Sequence, residues 1–244
     1  MKRWMSIFLV IMLAALLFSG CSSSDAAADT PAPAAEAEAP VAESAPAEAG
    51  NPDKHLEIVY IFGNASASSQ QRAKDGLLAY IEKNNWDWNV AEMDSAGSGE
   101  TLAANIEDAV QRGVDGIIVA MTDMRAAKAA LEDAKKAGIP VYSIDSGWTE
   151  GLVVDVTSNN YVMSAKVSSY LVDRLGGEGN IVAFKMAEHH GVRKRGEVLD
   201  IIVSESPGIT IVEDHNIDYT NFYDDTMKSM EDFLSKHGKD INAV

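Results

Sequence analysis

GVDGIIVAMTDMRAAKAALEDAKKAGIPVYSID, residues 113–145, reads as a complete strand, helix and strand whose second strand ends on an acidic residue. Gly116 to Ala120 is a short apolar run, too short for a stable helix and rich in β-branched residues, as suits a parallel strand covered on both faces. The spacing predicts a helix over Met124 to Lys136, because Ala127, Ala130, Leu131 and Ala134 recur at intervals of three and four. Lys135 and Lys136 complement the helix dipole in its last turn, and Gly138 stops it. Pro140 then opens the next strand. In an open α/β sheet ligands bind outside the carboxyl ends of the strands, so Asp145 and the loop Ser146-Gly147-Trp148 are expected to face a cleft.

The same unit repeats on both sides. Strands are expected at Leu56 to Phe62, Trp88 to Met93, Leu152 to Thr157, Asn180 to Phe184, Ile209 to Asn216 and Ile241 to Val244. Helices are expected at Ser69 to Asn84, Glu100 to Arg112, Tyr161 to Leu175, Val192 to Ser204 and Asn221 to His237. This alternation predicts an α/β fold of parallel sheets covered by helices.

The N-terminus carries a different message. Lys2 and Arg3 precede an apolar stretch, Ile7 to Phe18, of signal-peptide length and too short for a comfortable membrane span. It ends at Phe18-Ser19-Gly20-Cys21, which resembles a bacterial lipobox, with Phe18 where leucine is usual. Cys21 is the only cysteine, so disulfides play no part and lipidation is its evident use. Residues 1–20 are therefore expected to be a lipoprotein signal peptide that leaves the mature protein anchored outside the cytoplasm through Cys21. Residues 21–53 read as a disordered Ala/Pro/Glu tether: Ser22 to Asp53 hold five of the seven prolines and seven acidic residues without one basic residue. Removing Lys2 and Arg3 with the leader takes the formal charge from −17 to −19. Such an acidic chain argues against nucleic acid as a partner.

From about Leu56 onward the residues resemble the type I periplasmic sugar-binding proteins of bacterial ABC transporters, of which ribose-binding protein is the familiar example. The landmarks are KDG at Lys74 to Gly76, RGVDGIIV before a loop containing Thr122-Asp123, and AGIPVYSID. They continue with Ser158-Asn159-Asn160, LGGEGNIV and GVRKRGEVL, in this order and spacing. The resemblance implies two Rossmann-like lobes, residues 54–157 and 158–244, joined by hinge strands that begin near Thr157-Ser158. It also implies further chain after Ile241 to Val244, so the second lobe is expected to be partial. Asn159 stands where the family commonly has an aspartate.

Ligand contacts follow from the same resemblance. Arg195 matches the second arginine of an R-x-R-G-E pattern, and Asp145 matches the aspartate at the end of the first lobe's fourth strand, where a carboxylate can accept from two adjacent hydroxyls. Ser146 replaces the arginine that follows it in ribose-type proteins, and Trp148 is a candidate stacking platform in its place. Ala67, Ser69 and Gln70 stand where that family has asparagine and a pair of phenylalanines, and Asn64, Ser66, Ser69 and Gln70 can make a more polar wall there; Ser68 or Ser69 can also cap the helix. In the second lobe Tyr219, Asn221 and Phe222 surround the position of another family aromatic, and His190 can line the cleft.

Other chemistries find little support. Adjacent His189 and His190 lack a carboxylate or cysteine at metal-ligand spacing, so no metal is expected. Gly97-Ser98-Gly99-Glu100 is half a dinucleotide fingerprint after the wrong strand, and no cofactor is expected. With no activated nucleophile or acid/base pair, an enzyme is not expected. An export signal where a helix-turn-helix would have to stand excludes a repressor of the related DNA-binding family. The expected function is a monomeric, lipid-anchored receptor that captures a sugar or polyol and delivers it to an ABC permease. The alternative is a sensory binding protein that serves a receptor kinase or chemoreceptor.

Overall fold

The computed structural model describes residues 54–244; the leader, Cys21 and the tether lie outside the described residues. Two parallel sheets organise the fold. The first has the order β2-β1-β3-β4-β5, built from β1 (Leu56–Phe62), β2 (Trp88–Asp94), β3 (Gly116–Ala120), β4 (Val141–Ile144) and β5 (Val154–Val156). The second pairs β6 (Gly179–Lys185) with β7 (Ile209–Asn216), and Ala243 bridges Ile181 in parallel on the other side of β6. The expected strand at Ile241 to Val244 is thus reduced to one bridge, preceded by a 3-10 turn at Gly238–Asp240.

The helices are α1 (Ser68–Lys83), α2 (Gly99–Arg112), α3 (Lys128–Ala137), α4 (Asn160–Arg174), α5 (His190–Ser204) and α6 (Phe222–His237). Gly113 and Gly138 end α2 and α3 in the left-handed region, φ 68° and 75°, where a side chain would strain the turn. The helix expected from Met124 begins as a 3-10 turn, Met124–Ala127, because Asp123 caps that turn by accepting from the Arg125 amide.

Burial follows the pattern read from residues 113–145. Ile117 and Val119 of β3 point with Val59, Ile61 and Val141 into a fully buried layer closed by Leu102 and Ile106 of α2 and by Ala130, Leu131 and Ala134 of α3. Each large aliphatic side chain so buried stabilises the fold by roughly 1.5–3 kcal/mol. The opposite face is thinner. Tyr60, Phe62 and Ala120 pack against Leu77 of α1, while Tyr142, Val154 and Val156 remain exposed. Trp86 and Trp88, stacked with ring centroids 4.6 Å apart, line an apolar groove on that side.

Candidate functional site at the junction of the lobes

The carboxyl ends of β1, β2, β3 and β4 meet the loops that follow β6 and β7. Three residues at these strand ends, Ala96, Met121 and Asp145, hold φ between 48° and 51°, a left-handed conformation that side chains disfavour. Strain of this kind collects where a fold positions functional groups.

Tyr219 is the centre of the junction. It sits in a 3-10 turn after β7, Tyr219–Asn221, and is buried at 4% exposure among first-lobe residues. Its hydroxyl donates to the Met121 carbonyl at 2.5 Å and accepts from Gln70 Nε2 at 2.9 Å, while its own carbonyl accepts from Asn64 Nδ2 at 2.9 Å. Only glycine fits beside it: a Cβ on Gly63 would come within 2.6 Å of the hydroxyl, and one on Gly97 within 2.6 Å of the Tyr219 carbonyl. Burial pushes this hydroxyl up to about 12, so it stays protonated and able to donate at any physiological pH.

Asp123 joins the lobes by charge. Its carboxylate accepts from Arg125 in its own lobe, with Nη2 at 2.5 Å, and from Nη1 of Arg193 in α5, also at 2.5 Å. Burial pushes the carboxyl up, but the hydrogen bonds from Arg125 and Arg193 outweigh it and hold the group at about 2. A cavity of about 400 Å³ beside this pair is lined by Gly97, Thr122, Asp123 and Arg125 of the first lobe and by Ala187 and Glu188 of the second.

Nearer the hinge, Asp145 accepts from the Thr157 hydroxyl at 2.5 Å and from Asn160 Nδ2 at 3.1 Å. Asn160 is buried and its Oδ1 has no donor. Asn159 caps α4 by accepting from the Val162 amide. His189 caps α5, its Nδ1 accepting from the Gly191 amide at 3.2 Å, and its ring lies edge-on to Tyr219 with centroids 5.9 Å apart. Burial lowers the His189 pKa, which keeps the ring neutral as the cap requires. Among the described residues no group of three His, Cys, Asp or Glu side chains is placed to hold a metal ion.

The structure brings Asn64, Gln70, Asp145 and Tyr219 to the junction, and it places other sequence candidates elsewhere. Arg195 lines a cavity of about 300 Å³ made by second-lobe residues such as Ser164, Phe184, Lys185 and Leu199, with Nε donating to the Gly191 carbonyl. Trp148 is 68% exposed and faces a first-lobe surface with Arg125, Lys128 and Lys135. Ser69 is exposed and the cap position of α1 is Ala67, with no side-chain cap bond; Asn221 is exposed at the start of α6. His190 is half-buried beside the hinge with Thr157 and Lys194, packed under Gly147, where a Cβ would come within 2.2 Å of its Nδ1. Sequence reasoning passed over Asp123, Arg193 and His189. Asp123 lay inside a quoted landmark, but Arg193 and Arg195 stand two apart on a helix and face different sides, which spacing alone cannot assign.

Comparison with known proteins resolves the class. The family described as periplasmic binding protein domain matches residues 54–244. The chain belongs to that family. A xylitol-binding protein of Mycolicibacterium smegmatis is 27% identical over 200 residues, covering 80% of this chain and 55% of the relative. The ribose import binding protein RbsB of Bacillus subtilis is 27% identical over 178 residues, covering 70% of this chain and 54% of the relative. The chain therefore spans about half the length of the curated relatives it matches. Among solved structures, the 5-methylthioribose transporter solute binding protein of Thermotoga lettingae superposes with a TM-score of 0.70 at 20% identity, covering 78% of this chain and 59% of that one. The likeness confirms the type I periplasmic binding protein fold, two α/β lobes with parallel sheets. Membership of a periplasmic binding protein family implies an extracytoplasmic location.

Proposed function

We propose that this chain recognises a sugar or polyol between its lobes and, in the whole protein, delivers it to an ABC permease from a lipid anchor on Cys21. The observation that carries the reading is the convergence of Asn64, Gln70, Asp145 and Tyr219 at the strand ends, in a junction that both lobes build. Relatives whose names specify xylitol and ribose support a polyhydroxylated ligand. The groups suit such a ligand: Gln70 and Asn64 donate, Asp145 accepts from paired hydroxyls, and the Tyr219 ring offers an apolar face. Asn64, Gln70 and Tyr219 bond to one another, while Asp145 is held by Thr157 and Asn160. A ligand hydroxyl can take over the bonds now made by the Tyr219 hydroxyl while the lobes re-close around it. Affinity then depends on how much better the ligand bonds to the closed state than to the open one.

The test is thermal unfolding of the full chain against pentoses, hexoses, pentitols and hexitols. A ligand at one hundred times its dissociation constant adds about 2.7 kcal/mol. The expected result is a stabilising shift with one class that Asp145→Ala and Gln70→Ala abolish. No shift with any member, on a cooperatively folded chain, would remove the sugar and polyol reading.

A further inference from the structure

We infer that Asp123 and Arg193 form an exchangeable latch between the lobes, built so that opening leaves neither charge without a partner. This rests on the hinged-receptor reading above and adds to it the element that sets how far the empty protein stays closed.

The two side chains are 70 positions apart in sequence and only 12% and 21% exposed. A charge pair this enclosed ordinarily resists separation, because each member would be left facing poorly solvated surroundings. Here each has a second partner inside its own lobe. Asp123 keeps the guanidinium of Arg125, which reaches it through Nε at 2.9 Å and 3.0 Å as well as through Nη2. Arg193 keeps the Ala187 carbonyl at 2.8 Å, and one helical turn on it has Glu197, whose Oε1 is 4.0 Å from its Nε. Glu197 also lies within the field of Arg125 across the junction. Arg125 therefore competes with Arg193 for one carboxylate, and opening exchanges a shared aspartate for a private one. The free-energy difference between the states is correspondingly that of a single charge-assisted bond, roughly a tenfold bias in the closed-to-open ratio.

The experiment reads this bias without ligand. Spin labels are placed at Glu107→Cys on α2 and Asp232→Cys on α6, both exposed, in a full chain carrying Cys21→Ser, and interlobe distances are measured by pulsed dipolar spectroscopy. Arg193→Gln is expected to raise the open fraction about tenfold, and Arg193→Lys to restore part of the closed population. Arg125→Gln is expected to act in the opposite direction, because Asp123 is then left to Arg193 alone. An unchanged distance distribution in Arg193→Gln, or a shift of Arg125→Gln in the same direction as Arg193→Gln, would overturn the latch. Neither outcome touches the sugar reading, which stands or falls on whether an added pentose, hexose or alditol moves the same distances in the parent chain.

Discussion

The two lobes are written in the same strand and helix alternation but are packed by different means. The first lobe buries one continuous apolar layer in which Ile61, Leu102, Ile106, Ile117, Val119 and Leu131 are completely enclosed. In the second, the buried positions of α4 are Asn160, Ser164 and Ser168, those of α5 are Gly191 and Gly196, and α6 has none. Its apolar core is confined to Ile181, Val182, Ala183, Met186 and Ile209 around β6. Small and polar residues let α4 and α5 approach closely, and the Ser164 hydroxyl donates to the Arg195 carbonyl at 2.7 Å across them. Such contacts fix geometry but transfer little apolar area from water. The first lobe is thus a platform that its own core holds, and the portion of the second lobe that this chain spans is joined to it through Tyr219 and Arg193.

The largest expected effects lie in the cores. Leu131→Ala removes a side chain with no exposure and is expected to lose about 2–5 kcal/mol in denaturant unfolding. Ile181→Ala should fall at the low end of that range, since its surroundings can collapse. Equal losses would show that the β6-β7 portion is packed as firmly around Ile181 as the first lobe is around Leu131. Next comes Tyr219→Phe, which removes the hydroxyl between the Gln70 amide and the Met121 carbonyl, leaves them only their own 3.4 Å bond and is expected to lose about 1 kcal/mol. Its loss should appear as earlier exchange in the second lobe, with first-lobe amides unaffected.

A smaller effect comes from pH. The His189 pKa is lowered by burial, so protons bind more readily to the unfolded chain, whose histidine titrates near 6.5. The stability tied to the neutral ring is complete above pH 6.5 and is lost as pH falls through the lowered value. His189→Asn, which can still cap α5, is expected to flatten the slope of stability between pH 7 and 5. A slope unchanged by that substitution would place the acid sensitivity elsewhere.

How much of this was legible in the sequence depended on how local the deciding physics was. Apolar runs bounded by Gly113, Gly138 and Pro140 specified strands and helices through their own periodicity, and their alternation implied parallel sheets without giving the order β2-β1-β3-β4-β5. The start of the third helix was misread, because the Asp123 cap tightens Met124–Ala127 into a 3-10 turn that periodicity does not register. Asp145 was legible from its place at a strand's carboxyl end, whereas Asn64, Gln70 and Tyr219 were found through a family resemblance, and physical spacing alone would not have joined positions separated by as many as 155 residues. Arg193 was passed over in favour of Arg195 because the choice is rotational: only the packing of α5 against the first lobe decides which arginine crosses the junction. Trp148 illustrates the converse, an aromatic side chain in a cleft-facing loop that turns outward beside Arg125 and Lys128.

Hydrogen–deuterium exchange with and without a stabilising pentose or alditol tests whether the junction of the two lobes holds a polyhydroxylated solute. Slowed exchange is expected on both sides together: Asn64 to Gln70, Met121 to Arg125 and Asp145 to Gly147 in the first lobe, and Glu188 to Arg193 and Ile217 to Asn221 in the second. Protection confined to one lobe, or centred on the cavity beside Arg195 with the junction unchanged, would contradict it.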